Sequence, residues 1–191
     1  MFKDLDFKPV KQWPDLDSFV YFLRENPVPA IIRLLLTSGG TLTQSLKSLL
    51  LAPIHMEIVH QELADAGEGL SEFLGINESE KAYFRELWIL NERKEKVVYA
   101  SSLIPVKCLS PEVLQEIKMR TRLIGEILDS PGYYSQKDRM SFALGRSEKL
   151  SSAFAVPEDS LFWSRKYRLS AQDHLLAEIR EVFSPALFSV R

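Results

Sequence analysis

The sequence contains very little cysteine and histidine, the residues on which most disulfide and metal sites depend. Its 191 residues include one cysteine, Cys108, so no intramolecular disulfide can form and a reducing, cytoplasmic setting is the natural expectation. The three histidines, His55, His60 and His174, lack the spacing of a zinc motif. We therefore expect the protein to hold no metal ion.

Several other signatures are also missing from the chain. Its 24 basic and 26 acidic residues nearly balance, which argues against a nucleic-acid partner. No segment reaches the roughly 18 apolar residues of a membrane span, and the N-terminus lacks the apolar core of a signal peptide. Neither a Walker loop nor a GxGxxG motif is present, so no organic cofactor is expected. We expect one monomeric domain over residues 1–191.

Helical and alternating patterns follow one another along the chain. Short helices are predicted within the first fifty residues, and two more at about residues 110–119 and 122–130. Alternation predicts strands at about 53–59, 81–91, 96–104, 138–145, 161–169 and 174–183. Consecutive strands joined by short turns favour antiparallel pairing. The pattern predicts an α+β fold, with a single antiparallel sheet of about six strands and helices packed against one side of it.

The most glycine-rich stretch is "TSGGT" at residues 37–41. A phosphate-binding loop needs a strand before it and a lysine after it, whereas a predicted helix precedes this one. It is interpreted as a turn between two helices. The backbone N–H groups at the start of the second helix remain available to a small anion.

Two ionisable residues stand where strand alternation calls for apolar side chains. Arg85 lies between Tyr83 and Leu87 on one face of "KAYFRELWIL", and Glu181 shares a face with Phe183 in "IREVFSP". Because a buried guanidinium costs several kcal/mol unless it is paired, the two residues either form a structural salt bridge or face a polar cavity and bind a ligand. Arginine is well shaped to hold a carboxylate in a bidentate way. Such a cavity would suit a small molecule with a carboxylate opposite a hydroxyl.

At these residues the sequence resembles the chorismate pyruvate-lyase family, which splits chorismate into 4-hydroxybenzoate and pyruvate without a cofactor. The resemblance covers about residues 16–188 and is carried by the order and spacing of several stretches. They are "GTLTQSL" at 40–46, "YFRELWIL" followed by "VVYASSLIP", "RLIGEIL" at 122–128, "LFWSRKYRL" at 161–169 and "EVFSPALF" at 181–188. The resemblance implies a chorismate lyase-like fold, a lyase activity on chorismate, and an aromatic product that serves quinone biosynthesis or another pathway.

The resemblance also implies roles for four residues. The family's strand arginine, which holds the ring carboxylate, matches Arg85. The backbone amides that hold the same carboxylate match Leu42 and Ile124. The glutamate of an E-x-F-x-P motif, which contacts the hydroxyl at the far end of the ring, matches Glu181. On this basis all four residues bind substrate, Arg85 and Glu181 are the catalytic pair, and a ligand cavity is favoured over a salt bridge.

Two positions depart from the family pattern. Ser101 stands where the best-known bacterial members have a second arginine, which leaves the grip on the enolpyruvyl carboxylate open; Arg122 or Arg180 could supply it. The hairpin before Glu181 is one residue longer than in those members, so Glu178 is a rival for the same role. Glu181 is preferred because it keeps the phenylalanine and proline of the motif.

Two other functions stay open. Effector domains of some bacterial repressors resemble the same fold, so the protein could be a non-catalytic sensor that binds an aromatic carboxylate. Such domains normally follow a DNA-binding helix-turn-helix, whereas only about fifty mostly apolar residues precede the first predicted strand. An interaction protein without a small ligand would leave Arg85 and Glu181 paired with each other.

Overall fold

A seven-stranded antiparallel sheet forms the centre of the structure. The computed structural model describes residues 5–67, 73–128, 135–171 and 174–188. Its strands are Lys8–Trp13 (β1), His55–Asp65 (β2), Lys81–Leu90 (β3), Lys96–Pro105 (β4), Ser135–Arg146 (β5), Phe162–Ala171 (β6) and His174–Phe183 (β7). They lie in the order β1-β5-β6-β7-β4-β3-β2, with every neighbouring pair antiparallel. The predicted α+β class and single antiparallel sheet are confirmed, with one strand more than expected.

Several of the helices begin at a residue whose side chain caps them. Those described in full are Leu16–Glu25 (α1), Ala30–Thr37 (α2), Leu42–Leu50 (α3), Pro111–Met119 (α4), Ile124–Leu128 (α5) and Glu148–Phe154 (α6). At the start of α1, the Asp15 carboxylate accepts a hydrogen bond from the Ser18 N–H at 2.7 Å. At the start of α4, the Ser110 hydroxyl accepts one from the Val113 N–H at 3.3 Å. None of the helices in the described ranges is long and apolar enough to cross a membrane.

The larger core lies between one face of the sheet and helices α1 to α5. Fully buried Phe19 of α1 stacks on Phe142 of β5 with ring centroids 4.2 Å apart. Trp13 of β1 stacks on Trp163 of β6 at 5.7 Å. Aromatic pairs of this kind contribute about 0.5–1.5 kcal/mol beyond their buried area. They fix α1 across the β1, β5 and β6 end of the sheet.

Strand β1 corrects the expectation that only helices precede the first predicted strand. Residues Lys8–Trp13 pair with β5, and all of their side chains except that of Trp13 are exposed. Pro9 lies within the strand, which an edge position tolerates because one side of the strand makes no ladder bonds. With no buried face, β1 carries no alternating pattern by which the sequence could reveal it.

Helix α6 corrects the expectation that helices pack against one side only. It covers the opposite face of the sheet, where Leu150 and Phe154 pack in a second core with Trp88 and Val182. The Ser147 hydroxyl caps the helix by accepting the Leu150 N–H at 3.1 Å. A seven-residue helix with two apolar positions four apart is too short to produce a recognisable helical period.

The contact between β1 and β5 leaves no room for a side chain at Gly145. A Cβ there would lie 2.7 Å from the Lys8 carbonyl oxygen and 2.7 Å from the ring of Phe7. We expect Gly145→Ala to force β1 away from β5 and to lower the free energy of unfolding by about 1–3 kcal/mol. Gly39→Ala is the control, because a Cβ there meets nothing within 4 Å. Urea unfolding measures both variants, and equal stabilities would contradict the tight β1–β5 contact.

Candidate functional site

A cavity of about 220 Å³ lies between the sheet and the starts of helices α3 and α5. Its floor comes from β3, β4, β6 and β7, and its roof from residues 39–43 and 123–125. Pockets for drug-sized ligands span roughly 300–1,000 Å³. The space here is therefore suited to a compound not much larger than a single substituted ring.

The cavity brings together the four site residues predicted from the sequence. Arg85 of β3 and Glu181 of β7 both line it, as do Leu42 and Ile124, the first residues of α3 and α5. Arg85 and Glu181 lie two strands apart, a distance of about 9–10 Å across a sheet. Along the strand direction they are offset by two residues, which is about 7 Å. The two side chains therefore reach different ends of the cavity.

The Arg85 guanidinium is buried without a carboxylate partner among the described residues. It is 1% exposed, and its Nη2 donates to the Arg122 carbonyl oxygen at 2.8 Å and to the Met56 sulfur at 3.0 Å. Its Nε and Nη1 have no hydrogen-bond partner in the described part of the chain. Burial, together with the charge of Arg120, lowers the pKa of Arg85 to about 10. A buried cation with two unused donors is suited to an anion that enters the cavity.

The start of helix α3 lies in the cavity roof, across from the strand that carries Arg85. Its N-cap Thr41 makes no side-chain cap hydrogen bond. The first N–H groups of an α-helix have no partner within the helix, and the positive end of the helix dipole lies there. The backbone of Leu42 and Thr43 therefore offers donors to an anion held by Arg85.

Glu181 is paired with Arg165, which rules out the salt bridge with Arg85. Its Oε2 accepts a hydrogen bond from Arg165 Nε, and its Oε1 accepts one from the Tyr167 hydroxyl at 2.9 Å. Burial alone would lower the pKa of Arg165, but the Glu181 carboxylate and Tyr167 together outweigh it and raise that pKa. Burial and the same carboxylate hold the pKa of Tyr167 well above its usual value. Because each carboxylate oxygen has two acceptor sites, Glu181 can still accept a hydrogen bond from a ligand.

Arg165 also binds the carboxyl end of helix α2. Its Nη1 donates to the carbonyl oxygens of Leu35 at 2.5 Å, Leu36 at 3.1 Å and Ser38 at 3.3 Å. The last carbonyls of a helix lack partners within the helix and carry the negative end of its dipole. One buried guanidinium therefore joins β6, β7 and the segment that leads into the cavity roof.

Lys137 of β5 is a third charged side chain in the cavity wall. Its Nζ donates to the carbonyl oxygens of Gly40 at 2.6 Å and Ser38 at 3.2 Å, and it lies 4.8 Å from the centroid of the Tyr167 ring. Burial and the charge of Arg165 lower the pKa of Lys137 to about 8, although the Glu181 carboxylate acts in the opposite direction.

The alternatives considered for the site lie elsewhere. Glu178 is on the opposite face of β7, ion-paired with Lys166 at 3.2 Å and with Arg180 at 2.5 Å. Arg122 is a half-exposed side chain that pairs with Glu116, and only its backbone carbonyl reaches Arg85. Neither arginine proposed as a replacement at Ser101 lines the cavity within the described residues.

Sequence reasoning missed Arg165, Tyr167 and Lys137. The first two had a readable signal, because Trp163, Arg165 and Tyr167 alternate on one face of β6 just as Arg85 does on β3. The Lys137 signal is obscured by a register shift in β5 between Asp138 and Ser141, which breaks the alternation. The predicted strand also began one residue after Lys137.

Within the described ranges, no group of three histidine, cysteine, aspartate or glutamate side chains lies close enough together to hold a metal ion. The charged side chains that line the cavity among the described residues are Arg85, Lys137 and Glu181, and Arg165 pairs with Glu181 behind them. Their donors and acceptors are suited to an organic anion that also carries a hydroxyl.

Fold and cavity together define an α+β domain with a buried, mainly cationic cavity between the sheet and its helices. The family described as "Chorismate pyruvate-lyase Rv2949c-like" matches residues 36–191. The chain belongs to this family. The protein ycf21 of Pyropia yezoensis is 28% identical over 163 residues, which is 84% of each chain.

Solved structures resemble the chain in fold. PhnF from Mycobacterium smegmatis superposes with a TM-score of 0.63 at 13% identity, over 78% of this chain and 66% of PhnF. The isolated effector domain of PhnF gives a TM-score of 0.59 at 11% identity, over 77% of this chain and 90% of the domain. At these identities the likeness concerns the fold alone.

The Arg165–Glu181 pair yields a prediction about stability. Removing one partner of a buried ion pair costs about 3–5 kcal/mol because the other charge is left buried and unpaired. We expect Arg165→Met to lower the free energy of unfolding by about that amount. The double variant with Glu181→Gln should lose less than the sum of the single losses, by about 0.5–3 kcal/mol. Urea unfolding of the four proteins measures the coupling, and strictly additive losses would contradict the pairing.

Proposed function

We propose that the protein binds chorismate in this cavity and converts it to 4-hydroxybenzoate and pyruvate. The observation that carries the proposal is the buried Arg85 guanidinium, which faces the cavity with two unused nitrogen donors. Family membership supports the same activity. In this proposal Arg85 binds the ring carboxylate, and the backbone N–H groups of Leu42 and Ile124 add further donors to it.

Glu181 is proposed to bind the ring hydroxyl at the other end of the cavity. In chorismate the ring carboxylate and the hydroxyl are para to each other, so a ligand held by Arg85 directs its hydroxyl away from that residue. The lateral and axial offsets between Arg85 on β3 and Glu181 on β7 support this assignment, because they separate the two side chains along the cavity floor. Arg165 and Tyr167 hold both carboxylate oxygens in place, which fixes the position of the acceptor without help from the ligand.

The reaction requires one proton to leave the ring carbon that bears the hydroxyl. The C–H electrons form the new ring double bond, the neighbouring carbon–oxygen ether bond breaks, and the released enolpyruvate takes up a proton to become pyruvate. Glu181 is proposed to orient the hydroxyl beside this C–H and to accept the proton, a role typically worth about 10²–10⁴ in rate. The new aromatic ring supplies the driving force, so the remaining task of the protein is to orient the substrate and exclude water.

A second candidate is a non-catalytic domain that binds an aromatic carboxylate. The likeness to the effector domain of PhnF favours it, because that fold is used in an effector domain. The same contacts from Arg85 and Glu181 would then hold a ligand that is not consumed. The two functions differ only in turnover, so one assay separates them.

The direct test is to mix purified protein with chorismate and follow both products. We expect equal amounts of 4-hydroxybenzoate and pyruvate, at a rate that does not change when EDTA is added. Binding of 4-hydroxybenzoate with no consumption of chorismate would overturn the lyase proposal in favour of the ligand-binding domain.

The role of Glu181 can be separated from that of its rival. We expect Glu181→Gln to lower kcat by about 10²-fold or more, because the amide cannot accept the proton. Circular dichroism and binding of 4-hydroxybenzoate show whether the variant is folded. Glu178→Gln is the matched control and should leave kcat near that of the wild type, since Glu178 faces away from the cavity. The reverse order of effects would move the site to the other face of the sheet.

Arg85 should act mainly through binding. Arg85→Met removes the charge that holds the ring carboxylate in substrate, transition state and product alike. We expect kcat/KM for chorismate and the affinity for 4-hydroxybenzoate to fall together, by about 1.5–3 kcal/mol each. Arg93→Met, in an exposed turn, is the control for loss of one positive charge. Unchanged product affinity in Arg85→Met would remove Arg85 from the proposed role.

A further inference from the structure

The charged groups around the cavity do not balance. Among the described residues that line it, the charged side chains are Arg85, Lys137 and Glu181. Arg165 behind them pairs with Glu181, so these two charges cancel. Arg85 and Lys137 remain, each buried to a large extent and neither paired with a carboxylate in the described part of the chain. Two uncompensated cations indicate a ligand with two negative charges.

Lys137 retains a donor for such a ligand. An ammonium group has three N–H bonds, and two of those on Lys137 are used by the Gly40 and Ser38 carbonyls. These two bonds hold the ammonium against the loop that forms the cavity roof. The third donor has no hydrogen-bond partner in the described ranges, and the side chain lines the cavity.

The Lys137 ammonium lies at the Glu181 end of the cavity. Its Nζ and Arg165 Nη1 both donate to the Ser38 carbonyl, and Arg165 in turn binds Glu181. Tyr167, which donates to Glu181, has its ring beneath the same ammonium. The two uncompensated cations, Arg85 and Lys137, therefore lie toward opposite ends of the cavity.

We propose that Lys137 binds the second carboxylate of a dicarboxylate ligand whose first carboxylate is held by Arg85. If the ligand is chorismate, the second carboxylate is that of the enolpyruvyl group, whose ether carbon is next to the carbon bearing the hydroxyl. Lys137 would then supply the contact that Ser101 cannot make. The identity of the ligand rests on the proposed function, whereas the requirement for two carboxylates rests on the cavity alone.

The test uses equilibrium binding of two inert compounds that differ only in the second charge. These are 3-(carboxymethoxy)benzoate and its side-chain amide, 3-(carbamoylmethoxy)benzoate. Isothermal titration calorimetry measures the affinity for each compound, and the readout is the ratio of the affinity for the dicarboxylate to the affinity for the amide. A charge-assisted hydrogen bond changes affinity by about 10- to 100-fold. We expect the wild type to prefer the dicarboxylate by that factor, and Lys137→Met to bind both compounds about equally.

The ratio separates ligand binding from a structural role. If Lys137 only supports the roof loop, Lys137→Met will weaken the binding of both compounds to the same extent and leave the ratio of affinities at its wild-type value. That result would overturn the proposal. Equal affinity of the wild type for the dicarboxylate and its amide would overturn the proposal as well. Lys137→Gln provides a second variant in case the first does not fold. Lys166→Met is the matched control, because Lys166 pairs with Glu178 outside this cavity, and its ratio should equal that of the wild type.

The pH dependence gives a second readout. With a pKa of about 8, Lys137 is charged below that pH and neutral above it, so the preference should be full at about pH 6 and weakened at about pH 9. The groups that face Lys137 do not produce the same pH dependence. The pKa values of Tyr167 and Arg165 are raised, and the roof loop contributes carbonyls. Arg85 lies at the other end of the cavity and acts on both compounds alike, and Glu181 is present in the wild type and in Lys137→Met, so the difference between these two proteins at each pH isolates Lys137. A preference unchanged between the two pH values would contradict the proposal.

Because both compounds are inert, this experiment does not depend on catalysis. Failure to consume chorismate would remove the lyase function and leave the affinity ratio intact. Turnover of chorismate together with an unchanged ratio in Lys137→Met would leave the lyase function in place and assign the second carboxylate to another group.

Discussion

The buried ion pair between Arg165 and Glu181 is the interaction on which the cavity depends. Arg165 neutralises Glu181, binds the last carbonyls of α2, and thereby connects β6 and β7 to the loop that covers the site. Buried ion pairs are costly to desolvate and often contribute little net stability. Here the pair has a second consequence, because Glu181 is the only carboxylate that lines the cavity among the described residues, and its pairing with Arg165 removes it as a partner for the other cations.

The uncompensated charge of Arg85 is the feature on which the proposed function rests. This chain shares its fold with PhnF and with the isolated effector domain of PhnF. The fold therefore does not decide the function. In this chain Arg85 supplies an unpaired cation, Glu181 supplies a fixed acceptor, and together they suit an aromatising elimination that needs orientation more than it needs an added reagent.

Strand alternation was sufficient to identify Arg85 and Glu181, since β3, β4 and β7 pair without a break through both residues. The same alternation marks Arg165 and Tyr167 on β6, but it does not tell which groups they contact. The groups that accept hydrogen bonds from Arg165 and Lys137 are largely backbone carbonyls, such as that of Ser38. Such carbonyls have no signature in a sequence. Edge strand β1 was missed because it has no buried face and so no alternating pattern. Helix α6 was missed because it is too short to show a helical period of apolar residues. What local patterns reveal is the face of a strand, whereas contacts between distant segments depend on the assembled fold.

The most direct test of the account is a crystal structure of the protein with bound 4-hydroxybenzoate. We expect the ligand inside the cavity, with its carboxylate within hydrogen-bond distance of the Arg85 guanidinium and the start of α3, and with its hydroxyl on Glu181. A ligand bound in the reverse direction, with its hydroxyl at Arg85, would contradict the central claim that the unpaired guanidinium exists to hold the ring carboxylate. So would a ligand bound outside the cavity.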